Sequence, residues 1–294
     1  MLTVAPGKTR LGWIGTGVMG RSMCSHLLRA GYSVSIYNRS ASKTKELVDL
    51  GAVLCNTPRD VASQSDVVFS MVGFPVDVEE VILGKSGVLD GLGPGTVLVD
   101  MTTSRPSLAQ QIYAEASRRG VAAMDAPVSG GDIGAREARL SIMVGGDRFI
   151  FDALVPLWTL MGKTFVFQGP AGCGQHTKMV NQILIASSMV GLCESLLYAT
   201  RSGLNPETVL SSVSTGAAGS WSLSNLAPRI LKEDYSPGFF VNHFVKDLQI
   251  VLEEAVRMNI DLPGVSLAKR LYEQLKSLGH GDKGTQALWL VVRQ

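Results

Sequence analysis

The sequence predicts a doubly wound parallel α/β sheet followed by an all-helical domain, and three observations carry that expectation. The first half alternates short apolar runs with amphipathic ones, past Gly169 the strand signal stops, and a glycine-rich turn sits where the first apolar run meets the first helix. A chain of 294 residues with 46% apolar and 18% charged residues can bury two cores and is too apolar for disorder. The expected division is residues 1–168 and residues 169–294.

In order along the chain, "RLGWIG" (10–15), "YSVSIYN" (32–38), "DVVFSMV" (66–72), "TVLVDM" (96–101) and "VAAMDAPV" (121–128) read as strands. Helical patterns such as "SLAQQIYAEASRRG" (107–120) lie between them. "LSIMVGG" (140–146) adds a strand, "RFIFDALVPLWTLMG" (148–162) a helix, and "TFVFQG" (164–169) leads into a glycine cluster. "TKMVNQILIASSMVGLCESLLYATRSG" (177–203) then predicts one long helix stopped by Gly203. Further helices fit "NPETVLSSVS", "SNLAPRILKED", "NHFVKDLQIVLEEAVRMN" and "LPGVSLAKRLYEQLKSLG". In the third of these Val245, Leu248, Leu252 and Ala255 form one apolar side.

A net charge of +2 without a Lys/Arg cluster gives no reason to expect nucleic acid. Cys24, Cys55, Cys173 and Cys193 are far apart and form no CxxC, which suits a reducing compartment. "MLTVAPGKTR" has no apolar stretch long enough for a signal peptide, so the expected address is the cytoplasm, or an organelle if a transit peptide has been removed. "MVNQILIASSMVGLC" is the best membrane candidate, but Asn181, Gln182, Ser187 and Ser188 within it and Glu194 after it predict a buried core helix and no membrane. His26, His176, His243 and His280 lack metal-ligand spacing, and no metal is expected.

"GWIGTGVMG" places Gly15, Gly17 and Gly20 in a GxGxxG pattern after a strand and at the start of a helix. The first glycine permits the turn, the second admits a pyrophosphate, and the third lets helix and strand pack closely. The helix N-terminus offers N–H groups and a positive dipole end to the phosphates. At the end of the second strand, "YNRSASKTK" offers Asn38, Arg39, Ser40 and Lys43, with no carboxylate before Glu46. Arginine suits a 2′-phosphate, so NADP(H) is the preferred cofactor and NAD(H) the alternative. Val18 and Met19 in the loop, with Met71 and Val72 after the 66–72 run, complete the expected dinucleotide site.

Four stretches in order, "GWIGTGVMG", "DAPVSGG" (125–131), "GPAGCGQHTKMVNQ" (169–182) and "VKDLQ" (245–249), resemble the β-hydroxyacid dehydrogenases over essentially the whole chain. That family includes 3-hydroxyisobutyrate dehydrogenase, tartronate semialdehyde reductase and the glyoxylate/succinic semialdehyde reductases. The resemblance implies a Rossmann domain, an all-helical C-terminal domain and an active site between them. It implies that Lys178 is the catalytic lysine and that Ser129, Gly130 and Gly131 bind substrate. It also places Thr103 near nicotinamide and substrate, and Lys246 against the cofactor with Asp247 beside it at the substrate. The helper asparagine of the family stands three or four residues after the lysine. Here Asn181 is at three and Gln182 at four; Asn181 is the expected catalytic partner and Gln182 the alternative. Homodimers or homotetramers are implied as well.

Hydride transfer to a carbonyl builds negative charge on its oxygen, and a lysine amine can give or take the proton there, since burial disfavours its charged form. The glycines before Lys178 are expected to let substrate and cofactor close over the first helical turns. "APVSGG" suits a carboxylate, a small hydroxyl and flexible N–H groups wrapping the anion. The expected activity is therefore NADPH-dependent reduction of a small carboxylate-bearing aldehyde or keto acid, with glyoxylate and succinic semialdehyde tried first. An NAD-dependent 3-hydroxyisobutyrate-type dehydrogenase is the alternative, and a non-catalytic assembly module the second. A 6-phosphogluconate dehydrogenase is disfavoured, because the chain lacks the large C-terminal extension and the histidine expected just before that family's asparagine. The segment from Met179 to Tyr198, with Glu194 its one charge, predicts a helix buried on most sides and self-association through the helical domain.

Overall fold

Short apolar runs flanked by turn residues become strands, and a computed structural model shows how they pair. It describes residues 4–294; residues 1–3, the start of the N-terminal stretch read above, lie outside the described residues. Among the described residues nine strands form one sheet: β1 (Arg10–Ile14), β2 (Ser33–Tyr37), β3 (Val53–Leu54), β4 (Val67–Ser70), β5 (Val97–Asp100), β6 (Ala122–Asp125), β7 (Val128–Ser129), β8 (Leu140–Gly145) and β9 (Gly162–Gly169). Their order is β3-β2-β1-β4-β5-β6-β8-β7, with β9 on the other side of β8. The pairings from β3 across to β6 are all parallel. The strand order reverses between β1 and β4, the switch point beside which such sheets take their ligands.

Strands β4 and β5 are buried along their whole length, which is why they read as continuous apolar runs rather than alternating ones. Trp13 stacks on Phe69 at 5.4 Å between centroids, and Phe69 meets Trp158 edge-on at 6.1 Å, joining strands and a covering helix in one core.

The structure departs from the sequence reading at the margins. Strand β3 was invisible in the sequence because it is two residues long and both are exposed. The run 121–128 divides at Ala126–Pro127, where proline offers no N–H, and the short β7 beyond it pairs antiparallel with β8. The far edge is thus mixed: β8 runs antiparallel to β6 and parallel to β9. The helix expected over 148–162 is two, Arg148–Ala153 and Val155–Met161, with Pro156 opening the second. Pro228 likewise starts a new helix, Ala227–Leu231, after Trp221–Asn225.

The chain divides into two compact units, one ending at Lys178 and one beginning at Met179. The helix Cys173–Arg201 runs through that division without a break. Within the second unit it packs through Met179, Ala186, Met189, Cys193 and Leu196 against Phe244, Leu248 and Val251 of the helix Val241–Arg257 and Tyr272 of the helix Pro263–Leu275. Within one chain the long helix is covered on one stripe and open on another. Val180, Leu184 and Tyr198 are exposed, at 58%, 65% and 75%. Apolar composition carries no direction, and only packing reveals which stripe is covered.

Candidate active site

The glycine loop has the shape a dinucleotide requires. Gly15 has φ +91°, and a Cβ on it would run into the Met71 carbonyl, where β4 ends. A Cβ on Gly20 would enter the Gly15 carbonyl. Gly17 has nothing within 4 Å of where a Cβ would stand, so its flank is open. It caps the helix Val18–Arg29 without a side-chain hydrogen bond, and the first turn holds no carboxylate. These residues fit a pyrophosphate at a helix N-terminus. Val18 is exposed and Met19 half-buried beside it.

Of the four residues expected after β2, Asn38 serves the loop itself. Its Oδ1 accepts the Thr16 N–H at 2.9 Å, and its Nδ2 donates to the Ser40 carbonyl at 2.9 Å. The Thr16 hydroxyl donates to the Lys43 carbonyl at 3.0 Å, which pins the segment from the other side. Arg39 has 81% of its side chain exposed and pairs with Asp77 at 3.3 Å. Ser40 and Lys43 are exposed.

Below the lysine, Gly172 and Gly174 of "GPAGCGQ" are held close to neighbouring backbone. Gly174 lies against backbone: a Cβ there would stand 2.6 Å from the Asp125 carbonyl oxygen and closer still to that of Met143. Gly172 has φ +92°. Gly174 lets the first helical turn sit on the ends of β6 and β8, a packing requirement, while Gly172 lies against Gln110 and the Pro106 carbonyl. The Asp125 carboxylate then caps that turn, with Oδ1 accepting from Gly172 N and Oδ2 from Gln175 N, each at 2.8 Å. Burial pushes the Asp125 carboxyl up, and these N–H groups oppose the shift.

A continuous set of contacts links the glycine loop to this turn. Met71 N donates to the Ile14 carbonyl at 2.8 Å, and Val72 N to the Thr102 hydroxyl at 3.0 Å. The Thr102 carbonyl accepts from Gln175 Nε2 at 2.7 Å, and Gln175 Oε1 accepts from Ser104 N at 2.9 Å. Thr103, half-buried, sits between those two anchor points. Lys178, 6% exposed, follows Gln175 by one helical turn. Gly15, Met71, Val72, Thr103 and Lys178 thus lie along one relay of contacts within the first unit.

Asp100 ends β5 beside this set. Its Oδ1 accepts from the Ser70 hydroxyl at 2.8 Å and from Thr102 N at 3.1 Å. Burial pushes its carboxyl up to about 6, with nearby Asp125 adding to the shift. A folded-state pKa above the unfolded value means that the protonated form favours the fold. That contribution is present at low pH and is lost as pH rises from about 4 through about 6. Asp100→Asn keeps the acceptor and never ionises. Relative to wild type it should gain stability across this window, by on the order of 2 kcal/mol above it. Thermal melting of both proteins from acid to neutral pH tests this; parallel curves would refute it.

In the second unit, Asn181, Gln182, Lys246 and Asp247 form one cluster. Asn181 Nδ2 donates to Gln182 Oε1 at 2.7 Å, and Gln182 Nε2 donates to Asp247 Oδ2 at 2.5 Å. Lys246 Nζ lies 2.7 Å from Asp247 Oδ1. Gln182 and Asp247 are fully buried and joined by one bond, each using its other polar atom on a half-buried neighbour, Asn181 and Lys246 respectively. Phe239 packs edge-on to Phe244 in the core at 5.8 Å. Ser129 is half-buried on β7, and Gly130 and Gly131 follow with φ +132° and +62°, a conformation that glycine alone adopts without strain.

Comparison with known proteins places this architecture. Residues 10–169 match the family described as the NAD binding domain of 6-phosphogluconate dehydrogenase, and residues 172–292 that described as NAD-binding of NADP-dependent 3-hydroxyisobutyrate dehydrogenase. The chain is 54% identical over 292 residues to the probable 3-hydroxyisobutyrate dehydrogenase-like 1, mitochondrial, of Arabidopsis thaliana, covering 99% of this chain and 87% of that one. It is 36% identical over 279 residues to 2-hydroxy-3-oxopropionate reductase of Escherichia coli (strain K12), covering 95% of each. The chain belongs to the β-hydroxyacid dehydrogenase family. A crystal structure of 3-hydroxyisobutyrate dehydrogenase from Salmonella typhimurium superposes with a TM-score of 0.87 at 26% identity, over 97% of this chain and all of that one. A Mycobacterium tuberculosis 3-hydroxyisobutyrate dehydrogenase with L-serine gives 0.89 at 25%, over 97% and 99%. As a β-hydroxyacid dehydrogenase, the protein is an oxidoreductase acting on a CH–OH group with a nicotinamide cofactor.

Sequence reasoning missed Asp125, Gln175, Thr102 and Asp100 in this β-hydroxyacid dehydrogenase. The one available signal was Gln175, a polar residue three before Lys178 on the same helix face. The others act through partners remote in sequence.

Proposed function

We propose that this β-hydroxyacid dehydrogenase uses NADPH to reduce a small aldehyde or keto acid bearing a carboxylate. The observation that carries the cofactor choice is Arg39, exposed at the end of β2, in a segment that offers ribose hydroxyls no carboxylate of its own before Glu46; the guanidinium pairs with Asp77 from another segment. When bound, the nicotinamide supplies the hydride. The Ser129 hydroxyl and the N–H groups of Gly130 and Gly131 hold the substrate carboxylate. Lys178 Nζ donates a proton to the carbonyl oxygen as charge develops there, or removes it from the alcohol in reverse. Asn181 orients the reacting groups through its Oδ1, because Gln182 spends Nε2 on Asp247 and Oε1 on Asn181 Nδ2. The exposed stripe Val180, Leu184 and Tyr198 supports self-association through a second copy.

A panel of glyoxylate, succinic semialdehyde and related hydroxy acids, run with both cofactors, tests the reading. Wild type should favour NADPH. Arg39→Ala should lower kcat/KM with NADPH by about 10- to 100-fold while leaving NADH nearly unchanged. A wild-type preference for NADH would favour the second reading, NAD-dependent oxidation of a 3-hydroxyisobutyrate-type acid. The name of the Arabidopsis relative favours the substrate in that reading and is silent on the cofactor.

A further inference from the structure

We infer that Gln175 is a positioning residue, holding the 102–104 loop, and with it Thr103, in register with the helical turn that presents Lys178. Three hydrogen bonds meet at this fully buried residue. Its backbone N–H reaches Asp125 Oδ2 at 2.8 Å, at the end of β6. Its side chain takes the Ser104 N–H at 2.9 Å and donates to the Thr102 carbonyl at 2.7 Å, just past the end of β5. The two side-chain bonds bracket Thr103, so the peptide groups on both its sides are held by one amide.

The amide is specific for this task. The loop offers one donor and one acceptor, and a primary amide returns one of each. The loop has little else to hold it at Ser104, whose hydroxyl makes no hydrogen bond among the described residues. A tilt of the helix would move Thr103 with Lys178, because Gln175 and Lys178 are one turn apart on the same face. Hydride transfer depends steeply on such alignment, and a displacement of about 1 Å can cost about 100-fold in rate. The inference rests on the reading of Lys178 and Thr103 as the reacting site.

Two variants test it. Gln175→Ala leaves a buried N–H and a buried carbonyl without partners. It should lower kcat by about 10- to 100-fold, with cofactor affinity changed by less than about threefold. The primary isotope effect with deuterated reduced cofactor should rise, as transfer itself becomes limiting. Gln175→Glu is the sharper probe. An ionised glutamate accepts from Ser104 but repels the Thr102 carbonyl, whereas the protonated acid restores the donor. Its kcat relative to wild type should therefore climb as pH falls from about 8 to about 6, since burial raises a carboxyl pKa. Loss of a merely structural contact would change melting temperature without that recovery of the ratio.

Two results would overturn the inference: Gln175→Ala with kcat and isotope effect within about twofold of wild type, or a Gln175→Glu ratio flat with pH. If Gln175→Ala does not fold, the Gln175→Glu profile decides alone. An active Lys178→Ala enzyme would instead refute the site on which the inference rests. An inactive one beside a wild-type-like Gln175→Ala refutes only the positioning role.

Discussion

Lys178→Ala is expected to lower turnover by about 10² to 10⁴ while the protein still folds and binds nicotinamide cofactor nearly as wild type does. The lysine is buried, one turn beyond Gln175, on the helix whose start is fastened to the ends of β5 and β6. Removing it takes away the proton donor and leaves the glycine loop, more than 150 residues earlier in the chain, untouched. Lys178→Arg should be nearly as inactive, because a guanidinium keeps its proton at any working pH. Steady-state reduction of small aldehyde acids, with cofactor binding followed by nicotinamide fluorescence, gives both quantities. Retained turnover in Lys178→Ala would end the assignment of this residue as acid and base.

Gly174→Ala should destabilise the protein by about 3 kcal/mol or more and abolish activity with it. Alanine in a helix interior ordinarily gains up to about 1 kcal/mol over glycine. Here the added methyl would press into the carbonyl oxygens of Met143 and Asp125 and stand 2.8 Å from Asp125 Oδ2, which caps this turn. None of these atoms is the end of a flexible side chain free to move away. Gly191→Ala on the same helix is the control, since nothing lies within 4 Å of its Cβ position. Melting temperatures should fall steeply for the first and hold or rise for the second; a Gly174→Ala protein as stable as wild type would show that the helix start tolerates separation from the sheet.

Parallel sheet, helical second half and glycine loop were legible because each is written in consecutive residues. Periodicity of apolar positions predicts strand or helix, and the spacing of Gly15, Gly17 and Gly20 sets one turn. Lys178 was legible for a similar reason, as one cation entering a long apolar segment beside a family-like motif. Gln182 was harder to place. Spacing put it on the face of Lys178 with Asn181, and only the bond to Asp247, 65 residues away, removes it from the amides free to meet a substrate.

What the sequence determined by itself was the kind of most elements and the glycine loop, and it singled out Lys178 as the amine proposed to react. Tertiary structure alone decided the antiparallel far edge of the sheet, which stripe of the long helix stays exposed, and the fastening of that helix by Asp125 and Gln175. The physical reason is range. Helix and strand preferences arise within a few residues, but the bonds of Gln175 and Asp125 join groups 47 to 73 positions apart. Nothing in a run of neighbours records where a distant donor will come to rest.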